Sequence, residues 1–556
     1  MDIIACGGLT ALELVIMQPM EHLDSWSVAK TLLTLFLVQY VVAKVYRIIL
    51  YPNFLSPLRH LPGPKDHNLL LGQEVKKFQA DSPASVQLQW SRNWPEAPFI
   101  RYISFIGKEV LLVNSLAAHK AVLQTHVYDF VKPPFFAGLV DEIVGTGLLF
   151  AEGEAHKHER RLLAGPFSVP SMRKLIPVFR EKAKALSGVF EQVLGDKPYA
   201  SFEVMETLSK STMDTIGVTV LGIELETLAS TYELGFQELY SRLIHQEPLG
   251  YLVTLVNSLV PIRRITPLKV NYRFVQARAD LKKMLRDIIQ KRVSDLAGGT
   301  FKKEMGESRD ILTYMLEEAQ LRRQETGKDV WSVDDIFGHL LNFTSAGHES
   351  TATTLAWSLY TLATQHPVQE RLRSEINSLL ETNPEPDYDS IFGLPYLHNF
   401  VREVLRLYPS SYMSQREAVR DLVIEGVAIP KGAQIDINMP LVHQHAQVWG
   451  ADAGVFDPDR WDRRGDAASP SASSPFAFEA FLQGPRICPG RNFALAEVKA
   501  VLMELLARWR FLGIEDKDAG ELLAGGEEEV GRGVRFANPS LTLRPAGGLR
   551  VRFERL

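Results

Sequence analysis

The stretch FLQGPRICPG, Phe481 to Gly490, sets one of only two cysteines in a chain of 556 residues between two glycines, two prolines and an arginine. Downstream, Phe493, Ala496, Ala500, Met503 and Ala507 recur at spacings of three and four, the buried stripe of a helix expected to begin near Pro489. Cys488 is thereby read at a helix N-terminus, where unpaired amide N–H groups favour a thiolate and make the sulfur a good metal ligand. Gly484 and Gly490 let the backbone turn tightly around it, and Arg486 adds a cation. One soft thiolate with no nearby Cys or His does not make a tetrahedral zinc site. It suits an iron whose in-plane ligands come from a porphyrin. The plain alternative is an inert buried cysteine beside a helix.

Composition sets the class around this loop. Apolar residues make up 46% of the chain and charged residues 23%, the balance of a folded globular protein. The 61 basic residues are outnumbered by 66 acidic ones and form no stripe, which argues against nucleic acid as a partner. Cys6 and Cys488 cannot build a disulfide framework, so a reducing, cytosol-facing setting is expected.

Near the N-terminus, TLLTLFLVQYVVA, Thr31 to Ala43, and its apolar flanks approach the roughly 20 residues needed to cross a bilayer. Residues 26–50 are read as a single-pass anchor; a buried or amphipathic helix is the competing reading, because Lys30, Gln39 and Lys44 interrupt the run. Glu21 and Asp24 precede it, and Lys44, Arg47 and Arg59 follow. That asymmetry puts residues 1–25 in the lumen and the body in the cytosol. No basic n-region marks a cleaved signal peptide. LPGP, Leu61 to Pro64, closes a Pro-rich hinge over 51–64, and residues 65–556 are read as one catalytic domain.

That body reads as mainly α with small β-sheets. SVDD at Ser332 opens a capping pattern for a helix expected to run to His366, about 50 Å long, with Pro367 closing it. EAPFIRYISFIG, KEVLLVNS and the C-terminal LRVRFERL alternate like strands. RGDAASPSASSP, Arg464 to Pro475, and AGGEEEVGRG, Ala524 to Gly533, are expected to be mobile surface loops.

The pattern Phe-x-x-Gly-x-Arg-x-Cys-x-Gly resembles the haem-binding loop of the cytochrome P450 haem-thiolate monooxygenases, with Cys488 as axial iron ligand and Phe481, Arg486 and Gly490 beside the haem. Other motifs follow in the family's order. EVLR supplies Glu403 and Arg406, and FDPDRW supplies Arg460, which the resemblance joins in a buried triad. AGHEST, Ala346 to Thr351, resembles the oxygen-activating segment: Glu349 as acid, Ser350 where threonine is usual, then Thr351. Alternatively Gly347 eases helix packing and Ser350 bonds back to its own helix. GEAHKHERR resembles the propionate-binding helix, with Arg160 matching and His156 where tryptophan is common; Arg416 matches a further propionate position. His156 with His158 as a metal-binding pair is the rival reading. The likeness extends from about Leu61 to the end and implies a cytochrome P450 fold with one N-terminal transmembrane helix.

The resemblance further implies haem b (iron protoporphyrin IX), electrons from NADPH through a separate NADPH-cytochrome P450 reductase, and residence in the endoplasmic reticulum membrane. GTGLLF at Gly145 is no dinucleotide fingerprint. Pocket positions carried over are Phe135, Phe136, Ile143, Phe343, Ala346, Tyr412 and Met413, apolar enough for a lipophilic small molecule. The general style, with LPGP after the apolar segment and AGHEST in the long helix, resembles fungal members that tailor terpenoid or polyketide products. A haem-thiolate isomerase or dehydratase needing no O2, and a non-catalytic haem or lipid-binding membrane protein, are the other classes weighed.

Overall fold

The computed structural model describes residues 2–17, 25–80, 82–145, 147–229, 235–244, 246–258, 260–297, 310–466, 470–515, 522–523, 536 and 542–556. The expected loop at Ala524–Gly533 lies outside them, as do residues 467–469 of the other.

Helices dominate, and the longest crosses the body. Val333–Thr364 has 32 residues, capped as its sequence predicts: Asp335 N–H donates to Ser332 Oγ (3.1 Å) and Ser332 N–H donates to Asp335 Oδ2 (2.8 Å). Its apolar residues face inward all round, so Leu340, Leu355, Leu359 and Leu362 are fully buried, a pattern that only a helix surrounded by protein can carry. It packs against Val204–Ile216 and Arg491–Arg508. The chain breaks at Gln365 rather than at Pro367, which stands in the first turn of the next helix, His366–Thr382. Proline lacks only an N–H that a first turn leaves unpaired, so it starts that helix.

Two larger sheets flank the helices, besides a two-stranded ribbon of Leu422–Ile424 and Val427–Ile429. In the five-stranded one the order is Phe99–Ile103, Glu109–Val113, Gln434–Asn438, Met413–Ala418, Phe130–Val131; the first two strands are antiparallel, and Val110 pairs in parallel with Gln434. The C-terminal strand Arg550–Arg555 lies between Trp509–Glu515 and Ala200–Glu203 in a second sheet. Phe190, Phe202 and Phe553 pack edge to face beneath it, at ring separations of 4.9 to 5.7 Å.

The candidate membrane span is longer than its sequence suggests. Helix Ser25–Val45 runs on as a π-helical turn, Tyr46–Leu55, so residues 51–55 of the expected hinge are helical. Ala29–Leu55 is long and apolar enough to cross a membrane. Asp2–Met17 is itself an apolar helix and packs on Ser25–Val45, where Gln39 Nε2 donates to Glu13 Oε1 (2.6 Å). The LPGP segment docks on the body: Arg101 N–H donates to Pro62 C=O (2.8 Å).

One expectation is corrected. Part of the Ala/Ser/Pro stretch is fixed: Ala472 is fully buried in a cluster with Trp449 and Trp461, and Arg464 donates to the Ala472 and Ser474 carbonyls. Small residues there fit a tight turn against two indoles.

Candidate functional site

The cysteine loop is built from short backbone bonds. Glu479 C=O accepts Leu482 N–H (2.8 Å), and Cys488 N–H donates to Phe481 C=O (2.9 Å). Between them Leu482 and Gly484 take left-handed conformations, with φ of 57° and 72°. A Cβ on Gly484 would lie 2.1 Å from Leu123 O, so only glycine fits. The helix beyond starts at Arg491, with Gly490 as its N-cap, two residues later than predicted.

Cys488 is reachable by solvent, yet protein encloses it so closely that burial pushes its thiol up. The two observations agree if the sulfur lines the wall of an interior cleft. The Gly490 N–H and Arg160 pull the thiol down, but by less. Against the expectation of a thiolate favoured by a helix terminus, burial outweighs the Gly490 N–H and Arg160 at this sulfur.

Around that cleft stand more cations than anions. Lys132, Arg160, Arg416 and Arg486 share one field with a single carboxylate, Glu152. Burial, with Arg416 and Arg486 nearby, pushes Lys132 down to about 7. Burial and Arg486 bring Arg416 to about 10. Burial, then Arg486 and Lys132, hold His156 at about 4, a neutral ring whose Nδ1 faces Tyr128 OH at 3.3 Å. Arg486 Nη1 donates to Ala151 C=O (3.0 Å) and Nη2 to Glu152, while its Nε has no partner among the described residues. Buried cations that depress one another, with a donor unused, call for anionic oxygens. One sulfur and a cationic rim fit an iron porphyrin with two propionates. Exposed His158 points away from buried His156, and no group of three metal-ligating side chains occurs among the described residues.

Behind the loop, Glu403, Arg406 and Arg460 meet. Arg406 Nε and Nη2 each reach a different Glu403 oxygen at 2.8 Å, with both side chains fully buried. Arg460 Nε lies 3.4 Å from Glu403 Oε1 and its other nitrogens hold Asp452 at 2.9 and 3.0 Å. Trp461 Nε1 and Asp457 N–H also donate to Glu403, each at 3.0 Å. A 3.6-residue period puts Glu403 and Arg406 on one face of helix Pro395–Leu407.

On the long helix, Ala346 is exposed and, four residues on, half-buried Ser350 shares its face. Ser350 Oγ donates to Ala346 C=O (2.6 Å) and Thr351 Oγ1 to Gly347 C=O (2.7 Å). Glu349 Oε1 accepts from Thr542 Oγ1 (3.0 Å), with Arg544 4.0 Å away. Gly347 faces Val204–Ile216: a Cβ there would meet Ile216 Cδ1 at 2.5 Å. The helical packing reading of Gly347 and the back-bonding reading of Ser350 are thus both realised.

The remaining pocket candidates divide. Phe135 is exposed and Phe136, Tyr412 and Met413 are half-buried, whereas Ile143 and Phe343 are each only 9% exposed. Phe343 packs edge-on to Phe167 (5.4 Å), whose ring lies beside Gly490 of the cysteine loop. Sequence reading missed Lys132, Glu152 and Tyr128. Only the basic residue before PPFF was visible as a signal, and nothing local says that it is buried.

A helical body with small flanking sheets, and a closely enclosed cysteine near several cations, is the arrangement that a haem-thiolate oxidoreductase would use. The family model described as Cytochrome P450 matches residues 98–524, and the chain belongs to that family. It is similar to the cytochrome P450 monooxygenase sphH of Aspergillus fumigatus, 29% identical over 480 residues that cover 84% of this chain and 85% of the relative. It is also similar to cytochrome P450 monooxygenase 205 of Postia placenta, 29% identical with coverage of 82% and 86%. A third relative is the cytochrome P450 monooxygenase buaD of Petromyces alliaceus, 27% identical with coverage of 94% and 93%.

Proposed function

We propose that this chain inserts one oxygen atom of O2 into a lipophilic small molecule, by hydroxylation, epoxidation or multistep oxidation, in the biosynthesis of a terpenoid or polyketide secondary metabolite. The observation that carries the reading is Cys488, exposed yet closely enclosed, with Arg160 acting on its thiol and on His156 together with Lys132, Arg416 and Arg486. Haem bound there supplies the O2 chemistry, with the thiolate raising its electron density. The chain's own work is to hold and to deliver protons. Cys488 Sγ would ligate the iron, and Lys132, Arg160, Arg416 and Arg486 would neutralise the propionates. His156, neutral and fixed by Tyr128, would donate its remaining ring N–H. Glu349, on the side of Thr542 and Arg544, would pass protons toward Ser350 and Thr351 at the cleft. Phe135, Phe136, Tyr412 and Met413 would exclude water around an apolar substrate.

Electrons would come from NADPH through a separate reductase on the endoplasmic reticulum membrane, with the body in the cytosol. The secondary-metabolite setting rests on likeness to fungal monooxygenases. A haem-thiolate isomerase is the second reading, favoured by one observation: Ser350 and Glu349 both spend their side chains on other partners. The reduced protein with carbon monoxide should give a strongly red-shifted Soret band, and added reductase should drive NADPH and O2 consumption. An unshifted band removes Cys488 from the iron. Turnover without NADPH and O2 selects the isomerase.

A further inference from the structure

His119 and Glu479 meet in the core although 360 positions separate them: His119 Nδ1 lies 2.9 Å from Glu479 Oε2, and both side chains are 0% exposed. Among the described residues, neither Glu479 Oε1 nor His119 Nε2 has another partner. Each group therefore depends on the other for relief from burial. His119 belongs to helix Leu116–Lys120, which runs on into the π-helical turn Ala121–Thr125. That turn carries Leu123, the carbonyl against which Gly484 is pressed. Glu479 opens the cysteine loop, its C=O taking the Leu482 N–H. The loop is thus tied to one scaffold twice, by backbone contact at Gly484 and by the polar pair at Glu479.

A second chain of bonds reaches the same glutamate. Glu479 N–H donates to His443 Nε2 (2.7 Å). A backbone N–H can only donate, so that nitrogen is bare and His443 Nδ1 carries the proton, donating to Arg406 C=O (3.0 Å). Arg406 Nη1 returns a bond to His443 C=O (2.8 Å). Glu403, Arg406, His443, Glu479 and His119 form one buried polar line from the triad to the loop.

We propose that His119 and Glu479 are positioning residues for the Cys488 thiolate, fixing the loop against the Leu116–Thr125 segment. The inference rests on the haem-thiolate reading, which the parent protein's own carbon monoxide spectrum tests separately. The experiment compares full-length holoprotein of the parent, His119→Leu, Glu479→Leu and the double variant. It reads the ratio of unshifted to red-shifted ferrous–CO band, with melting temperature recorded alongside. Each single variant strands a buried polar group and is expected to raise that ratio at least about tenfold; the double variant, apolar at both positions, is expected to return within about twofold of the parent. Single variants that lower the melting temperature but keep the parent's ratio would overturn the proposal, as would a double variant as deficient as the worse single. If neither single variant accumulates, the double decides: a red-shifted band supports the coupling and an unshifted one overturns it.

Discussion

Replacing Glu403 by alanine removes a carboxylate that accepts from Arg406 Nε and Nη2, Arg460 Nε, Trp461 Nε1 and the Asp457 amide. Two guanidinium groups, 0% and 5% exposed, lose their shared anion. Removing one partner of a buried ion pair costs about 3–5 kcal/mol, and a stranded neutral donor such as the Trp461 N–H adds about 1–3 kcal/mol. Arg406 keeps the carbonyls of His443 and Val455, and Arg460 keeps Asp452, so the charges are not left bare. Losses at shared partners do not add, which sets the expected total at about 5 kcal/mol. Against a usual total of about 5–15 kcal/mol, that removes a third of the stability or more. Expressed as the full chain, Glu403→Ala should accumulate little protein with haem, and its urea midpoint should fall well below the parent's. Glu403→Gln, which keeps the shape and one acceptor, should fall between. Normal haem content together with an unchanged midpoint in Glu403→Ala would refute the claim that this carboxylate braces the fold.

Three further outcomes follow from the same geometry. Lys132, at about 7 when folded against 10.5 as the ordinary value, binds its proton more weakly in the folded chain. Below pH 7 both states are charged and the folded one bears the full cost; as pH rises from about 7 toward 10.5 that cost is relieved. Stability of the haem-free protein should therefore rise across that window, by at most about 1.4 kcal/mol per pH unit from this group. Lys132→Met should flatten that rise, as urea midpoints at pH 7 and pH 10 would show. Gly484→Ala forces a Cβ to within 2.1 Å of Leu123 O and should abolish the red-shifted carbon monoxide band. Ser350→Ala should lower product formed per NADPH several-fold, while Ser350→Thr should match or exceed the parent in the same assay.

Much of this site is legible in short stretches of sequence because its parts are local. The spacing from Phe481 to Gly490 describes a loop whose bonds, Glu479 to Leu482 and Phe481 to Cys488, close within ten residues. Glu403 and Arg406 lie one helical turn apart, and the Ser332–Asp335 cap spans four residues. The rest depends on what each side chain meets in space. Glu349 was visible as an acid beside an alcohol, but its partner Thr542 lies 193 positions away. The Ala/Ser/Pro stretch has the composition of a loop and is nonetheless anchored, since Trp449 and Trp461 need small residues to close over them.

By itself, the sequence determined the helical class, the long apolar N-terminal helix, the cysteine loop and the order of motifs around it. Such features follow from hydrophobic period, turn chemistry and spacing, which act over a few residues. Only the tertiary structure decided the burial that pushes the Cys488 thiol up, the depressed Lys132 among its neighbouring cations, and the meeting of His119 with Glu479. Each is a matter of burial and of charges brought together from distant parts of the chain. A titratable group takes its properties from the dielectric and the neighbours that folding gives it.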